Sequence, residues 1–125
     1  MTLRRIALTL FMAAAASGCT DQAPVSGPGT MTVTLRSPNG DEGAALVSLL
    51  GNDVGAVSAS GVTEVHSLAG NSVTRIVLID QSGGELMFRV AVADTTNPPG
   101  WVIDEVAGPD DATRILTGYT LDFRR

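Results

Sequence analysis

Lysine is missing from this chain altogether, so all eight strong cations are arginines and no lysine Schiff base can form. Cysteine occurs once, at Cys19, which rules out a disulfide within the chain. Histidine also occurs once, at His66. One imidazole beside one cysteine is a poor ligand supply for a transition metal. A serine triad would need that same histidine, and there is no Gly-x-Ser-x-Gly turn to present the nucleophile. No phosphate-cradling glycine pattern is present either. Aromatic residues number five in 125, and no apolar run approaches the roughly 20 residues of a membrane-spanning helix. These absences point away from catalysis and towards a small domain held together by aliphatic packing.

What the chain does have is acid. Thirteen carboxylates against eight arginines give a net charge of −5. Such a surface argues against nucleic acid and against docking on anionic lipid head groups. The size suits one domain.

The first eighteen residues read as an export signal. Arg4 and Arg5 precede an apolar run over 6–16, which is the length of a signal-peptide core. Ser17 and Gly18 follow, then Cys19. The block Ala16-Ser17-Gly18-Cys19 resembles the bacterial lipobox, with Ala16 where that pattern prefers leucine. The resemblance implies cleavage between Gly18 and Cys19, with diacylglycerol on the Cys19 sulfur and often a further acyl chain, such as palmitate, on its freed amine. Each buried methylene contributes about 0.8 kcal/mol, and two or more chains anchor stably. The competing reading is ordinary secretion with Cys19 left as a free thiol. In the lipoprotein pattern an aspartate after the cysteine favours inner-membrane retention. Thr20 stands there, so the outer membrane or cell surface is expected. Loss of 1–18 removes two arginines and no acid, leaving six against thirteen, about −7.

Residues 19–30 are small, polar and helix-breaking, and read as a flexible tether between lipid and domain. Val25 adding to a first strand is the alternative. From 31 to 125 the pattern is that of strands. Met31, Val33 and Leu35 alternate with Thr32, Thr34 and Arg36, and Ser37-Pro38-Asn39-Gly40 turns the chain. Residues 44–50 fit a strand or a short helix capped by Asp41; strand is preferred. Short β-type runs follow over 54–58 and 62–68. Residues 72–79 read as a central strand, buried on both faces near its end and closed by a turn over 80–84. Leu86, Phe88, Val90 and Val92 alternate cleanly, Asn97-Pro98-Pro99-Gly100 breaks pairing, and 101–106 is a further strand. A loop over 108–111, a brief edge strand over 114–116 and a last strand with Tyr119, Leu121 and Phe123 complete the chain. Seven to nine short strands without a long helix predict an all-β sandwich of immunoglobulin-like type.

Candidate sites are few. Trp101 and Tyr119 would form an aromatic platform for a sugar; the competing reading puts them in the core with Phe88 and Phe123. The acidic pairs Asp41-Glu42, Asp104-Glu105 and Asp110-Asp111 read first as solvated turns or strand surface. Asp110 and Asp111 are the best oxygen donors for a calcium ion, without the spacing of a helix–loop–helix calcium site. Asp104 and Glu105, adjacent in a strand, should point to opposite faces. His66 reads as a partly exposed strand residue. No cofactor is expected.

One run of features is similar to cohesin-type domains, sandwiches related to some carbohydrate-binding modules. It comprises Gly43-Ala44-Ala45-Leu46-Val47-Ser48-Leu49, the Asn52-Asp53 turn, the strand over 54–58, Gly70-Asn71, the aliphatic strand over 73–79, and Gly84-Glu85-Leu86-Met87-Phe88-Arg89-Val90. The similarity covers about half of the folded part, with Leu50-Gly51 where the family has Tyr-Asp. It implies recognition through a sheet face. The expected function is therefore a lipid-anchored cell-envelope lipoprotein, a non-catalytic binding or adhesion module for a protein or carbohydrate partner, not for nucleic acid. The alternative is a structural or assembly accessory of an envelope complex.

Overall fold

The computed structural model describes residues 26–125. The signal, cleavage and lipidation residues, including Gly18 and Cys19, and Val25 lie outside the described residues. Among those described there are eight strands and no helix: β1 (Gly29–Arg36), β2 (Glu42–Leu50), β3 (Val54–Ala59), β4 (Glu64–Ala69), β5 (Val73–Gly84), β6 (Met87–Val92), β7 (Gly100–Ala107) and β8 (Thr120–Arg124). They form two four-stranded antiparallel sheets. Sheet A runs β3-β6-β1-β8 and sheet B runs β4-β5-β2-β7. The pairing is nested: β4 with β5, β3 with β6, β2 with β7 and β1 with β8. Residues 29–124 thus form one long hairpin rolled into a sandwich.

The period-two pattern decides which side chains fill the space between the sheets. Met31, Val33 and Leu35 of β1 face Phe88 and Val90 of β6 within one sheet, and meet Val47, Leu49, Ile76 and Leu78 of sheet B across the core. Phe88, Val33, Val47 and Leu78 are wholly buried. Residues 44–50 are strand, because Val47 and Leu49 pair with Ile76 and Thr74 on one side and with Ile103 and Trp101 on the other. Gly43 fits for a local reason: a Cβ there would lie 2.6 Å from the Gly108 carbonyl oxygen.

Several expectations need correction. The tether ends earlier than residue 30. Gly29 and Thr30 already pair with Val92 and Ala91, and Gly27 is tied to the loop after β6 through Asp94 and Thr95. The turn expected over 80–84 is strand. Asp80 is buried and takes the Ser82 amide and hydroxyl on Oδ1, which folds the irregularity into β5 and lets Gly84 pair with Glu42. β5 is central but buried on one face only, since Arg75 and Val77 are exposed on the other. Residues 114–116 are not strand; Thr113 makes one isolated bridge to Ala107 and the chain then leaves the sheet.

Candidate interaction surface

Tyr119 and Trp101 do not form one platform. Trp101 sits opposite Leu49 and packs inward against the core, whereas the Tyr119 hydroxyl reaches Glu42 at the other end of β2. Leu49 and Glu42 are seven residues apart on one strand, about 23 Å at the usual rise. Tyr119 is itself 6% exposed, so its ring offers no face to a sugar.

Glu42 is buried, not part of a solvated turn. Its side chain is 1% exposed. Oε1 accepts from the Tyr119 hydroxyl at 2.6 Å and the Ser37 hydroxyl at 2.7 Å, and Oε2 pairs with Arg114 Nε at 3.3 Å. Asn39 Nδ2 in turn donates to the Tyr119 oxygen at 2.8 Å. Burial is the largest influence on this carboxyl and pushes it up, but the Tyr119, Ser37 and Arg114 donors together hold it below its ordinary value. This cluster fastens the loop before β8 onto the β1–β2 turn. It was hidden from sequence reasoning because Arg114 and Tyr119 lie 72 and 77 residues away along the chain.

Asp110 and Asp111 occupy a closed turn. The Gly108 carbonyl accepts from the Asp111 amide at 3.0 Å, the Gly108 amide donates to Ala112, and Asp110 Oδ1 accepts from the Ala112 amide at 3.2 Å. Asp111 has φ 63°, a left-handed conformation that aspartate tolerates. Both are exposed. Among the described residues, no three histidine, cysteine or acidic side chains cluster closely enough to hold a metal. His66 is exposed on β4, with Nε2 2.8 Å from Glu64 Oε1.

Asp104 and Glu105 correct a further expectation: both are exposed, on the same outer face. Val47 pairs with Ile103 and Leu46 with Glu105, so Asp104 is the extra residue of a β-bulge. The bulge interrupts alternation, leaving Ile103 and Val106 inward and both acids outward. Ser48 Oγ donates to Asp104 Oδ2 at 2.6 Å and holds the bulge.

The two outer faces differ in chemistry. Sheet A presents Thr30 and Thr32 on β1, with Thr34 on the same side but covered, and Arg89, Arg36, Asp122 and Arg124 around them. Asp122 Oδ2 bridges Arg36 at 2.9 Å and Arg124 at 2.7 Å, and the Arg36 contact chiefly holds its carboxyl below the usual range. Sheet B instead presents Leu46, Val77 and Ile79 at its centre and Leu68, Val102 and Leu50 around them. Leu50, Leu68, Val77 and Val102 are among the seven large hydrophobics exposed in the described residues, and Leu68 is 73% exposed. Glu64, His66, Arg75, Asp104 and Glu105 are interspersed on the same face. A shallow hollow lined by Ala44, Leu46, Val77 and Glu105 marks its middle.

That apolar face is the feature of the fold most suited to recognition. Compared with known protein families, with curated proteins and with solved structures, the chain matches none of them.

Proposed function

We propose that this chain is a lipid-anchored lipoprotein of the cell envelope that works as a non-catalytic binding or adhesion module, presenting the outer face of sheet B to a protein or carbohydrate partner. The observation that carries the binding reading is the asymmetry of the sandwich. One outer face is threonine and charge, with Asp122 bridging Arg36 and Arg124; the other gathers Leu46, Leu50, Leu68, Val77 and Val102 between its charged residues. A sheet face of that kind costs solubility unless it is covered in use. The anchor reading rests on Cys19 and the segment before it. Among sandwich types, the strand order supports the cohesin-like reading over the immunoglobulin one. The immunoglobulin arrangement groups its first, second, fourth and fifth strands in one sheet, whereas here β1 shares a sheet with β3, β6 and β8.

Two measurements test this. Cells fed labelled palmitate should yield labelled protein, shortened to begin at Cys19, in the envelope fraction, and Cys19→Ala should abolish both label and sedimentation with envelopes. Immobilised protein should retain an envelope protein or polysaccharide that Val77→Arg releases and Arg89→Glu, on the opposite face, does not. Equal retention by both variants would remove sheet B from the proposal.

A further inference from the structure

The outer face of sheet B has a second property: it is complementary to itself. Strand order places β4 and β7 at the edges and β5 and β2 in the middle. The registers set out level rows across the face: Glu64, Ile79, Ala44 and Ala107; His66, Val77, Leu46 and Glu105; Leu68, Arg75, Ser48 and Val102. A two-fold axis lying along the strands, between two such faces, sets β4 over the partner's β7 and β5 over the partner's β2 at the same level.

The consequences follow row by row. Val77 meets Leu46 of the second copy, Leu68 meets Val102, and Ile79 meets Ala44. Arg75 comes over buried Ser48 and reaches the exposed Asp104 carboxylate, which the Ser48 hydroxyl holds at 2.6 Å. His66 meets Glu105. Each contact occurs twice, as a closed two-fold interface requires. Arg75 is exposed, and no carboxylate among the described residues lies within ion-pair distance of it. A two-fold axis across the strands has no such match, because it lays each strand on its own counterpart.

We infer that the partner of this face is a second copy of this chain, stacked sheet B on sheet B with β5 over β2. The inference rests on sheet B's outer face being the binding surface, and the face-to-face contact itself needs no lipid. Sheets stacked face to face rotate by roughly 30°. The contacts nearest the axis, Val77 with Leu46 and Arg75 with Ser48–Asp104, therefore survive best. Four strands by some seven residues cover about 450 Å² per copy, or about 900 Å² for the pair. That lies just under the size of stable specific interfaces, so the dimer is weak in free solution. Holding both copies on one membrane would raise their effective concentration.

The test is sedimentation equilibrium of the full chain in density-matched detergent. Reversible dimerisation is expected, with a dissociation constant in the micromolar range or somewhat weaker. Val77→Arg and Arg75→Asp should each raise that constant about tenfold or more. Arg75→Asp combined with Asp104→Arg should bring it back to within about threefold of the parent, which a merely misfolded protein would not do. Arg89→Glu should leave it unchanged. A chain that stays monomeric at hundreds of micromolar overturns the inference, as does a charge swap that fails to rescue. If the monomer still retains an envelope partner through Val77, the binding reading stands and only the self-pairing falls.

Discussion

At residue scale the informative group is Glu42, a carboxylate enclosed where the sequence shows an ordinary acidic turn. Alternation could not reveal it, because its partners come from the far end of the chain. The Tyr119 hydroxyl donates to a charged acceptor at 2.6 Å in a buried site. Such bonds contribute more than neutral ones, so Tyr119→Phe should lower the unfolding free energy by about 2 kcal/mol. Urea titration of both proteins at neutral pH checks this. The pH dependence has a definite sign. The folded protein holds this carboxyl below its ordinary value of 4.5. Its contribution is therefore complete above that value and is lost as the pH falls through the lower folded value. Wild type should lose stability on acidification below pH 4.5, and Glu42→Gln should be less stable at neutral pH with a shallower acid limb. An acid limb of unchanged slope in Glu42→Gln would show that the loss belongs elsewhere, to groups such as Asp94 and Asp122, which are also held low.

At the scale of elements, most of the strands were legible because each half-buried strand carries a period-two signature. Met31-Val33-Leu35 and Phe88-Val90-Val92 show it without ambiguity, and both became core. The misreadings fall where a strand departs from that period. β5 runs on through Gln81-Ser82-Gly83-Gly84, a string of turn-forming residues, since Asp80 and Ser82 absorb the irregularity internally. β7 carries an extra residue, so two adjacent acids share one face. A bulge leaves no composition signal, and the site that depends on it was illegible for that reason. The bulge also makes a prediction. Deleting Asp104 joins Ile103 to Glu105 with the Val47–Ile103 and Leu46–Glu105 pairs intact, so the variant should fold with a loss of about 1 kcal/mol. Deleting Arg89 from β6 instead throws Phe88 and Val90 onto opposite faces. That variant should lose cooperative unfolding by circular dichroism, while the Asp104 deletion keeps it.

At the scale of the molecule, the sandwich was predictable and the way it is wound was not. Short strands and frequent turns specify two packed sheets, but nothing local says that Thr32 will lie beside Arg124. Nested pairing makes nearly every ladder beyond β4–β5 a long-range closure. Refolding should accordingly take milliseconds to seconds, as in other all-β domains. Stopped-flow fluorescence of Trp101, the sole tryptophan, measures it, and completion within microseconds would contradict the topology. The same winding decides how the domain answers tension. β1 is the first of the described strands, and it lies between β6 and β8, bonded to both across residues 32–34. A pull applied ahead of Gly27 first strips the half-buried Asp94 clasp and then drags β1 lengthwise. Two ladders then resist in shear, all rungs at once, so the domain yields abruptly at high load instead of unzipping rung by rung.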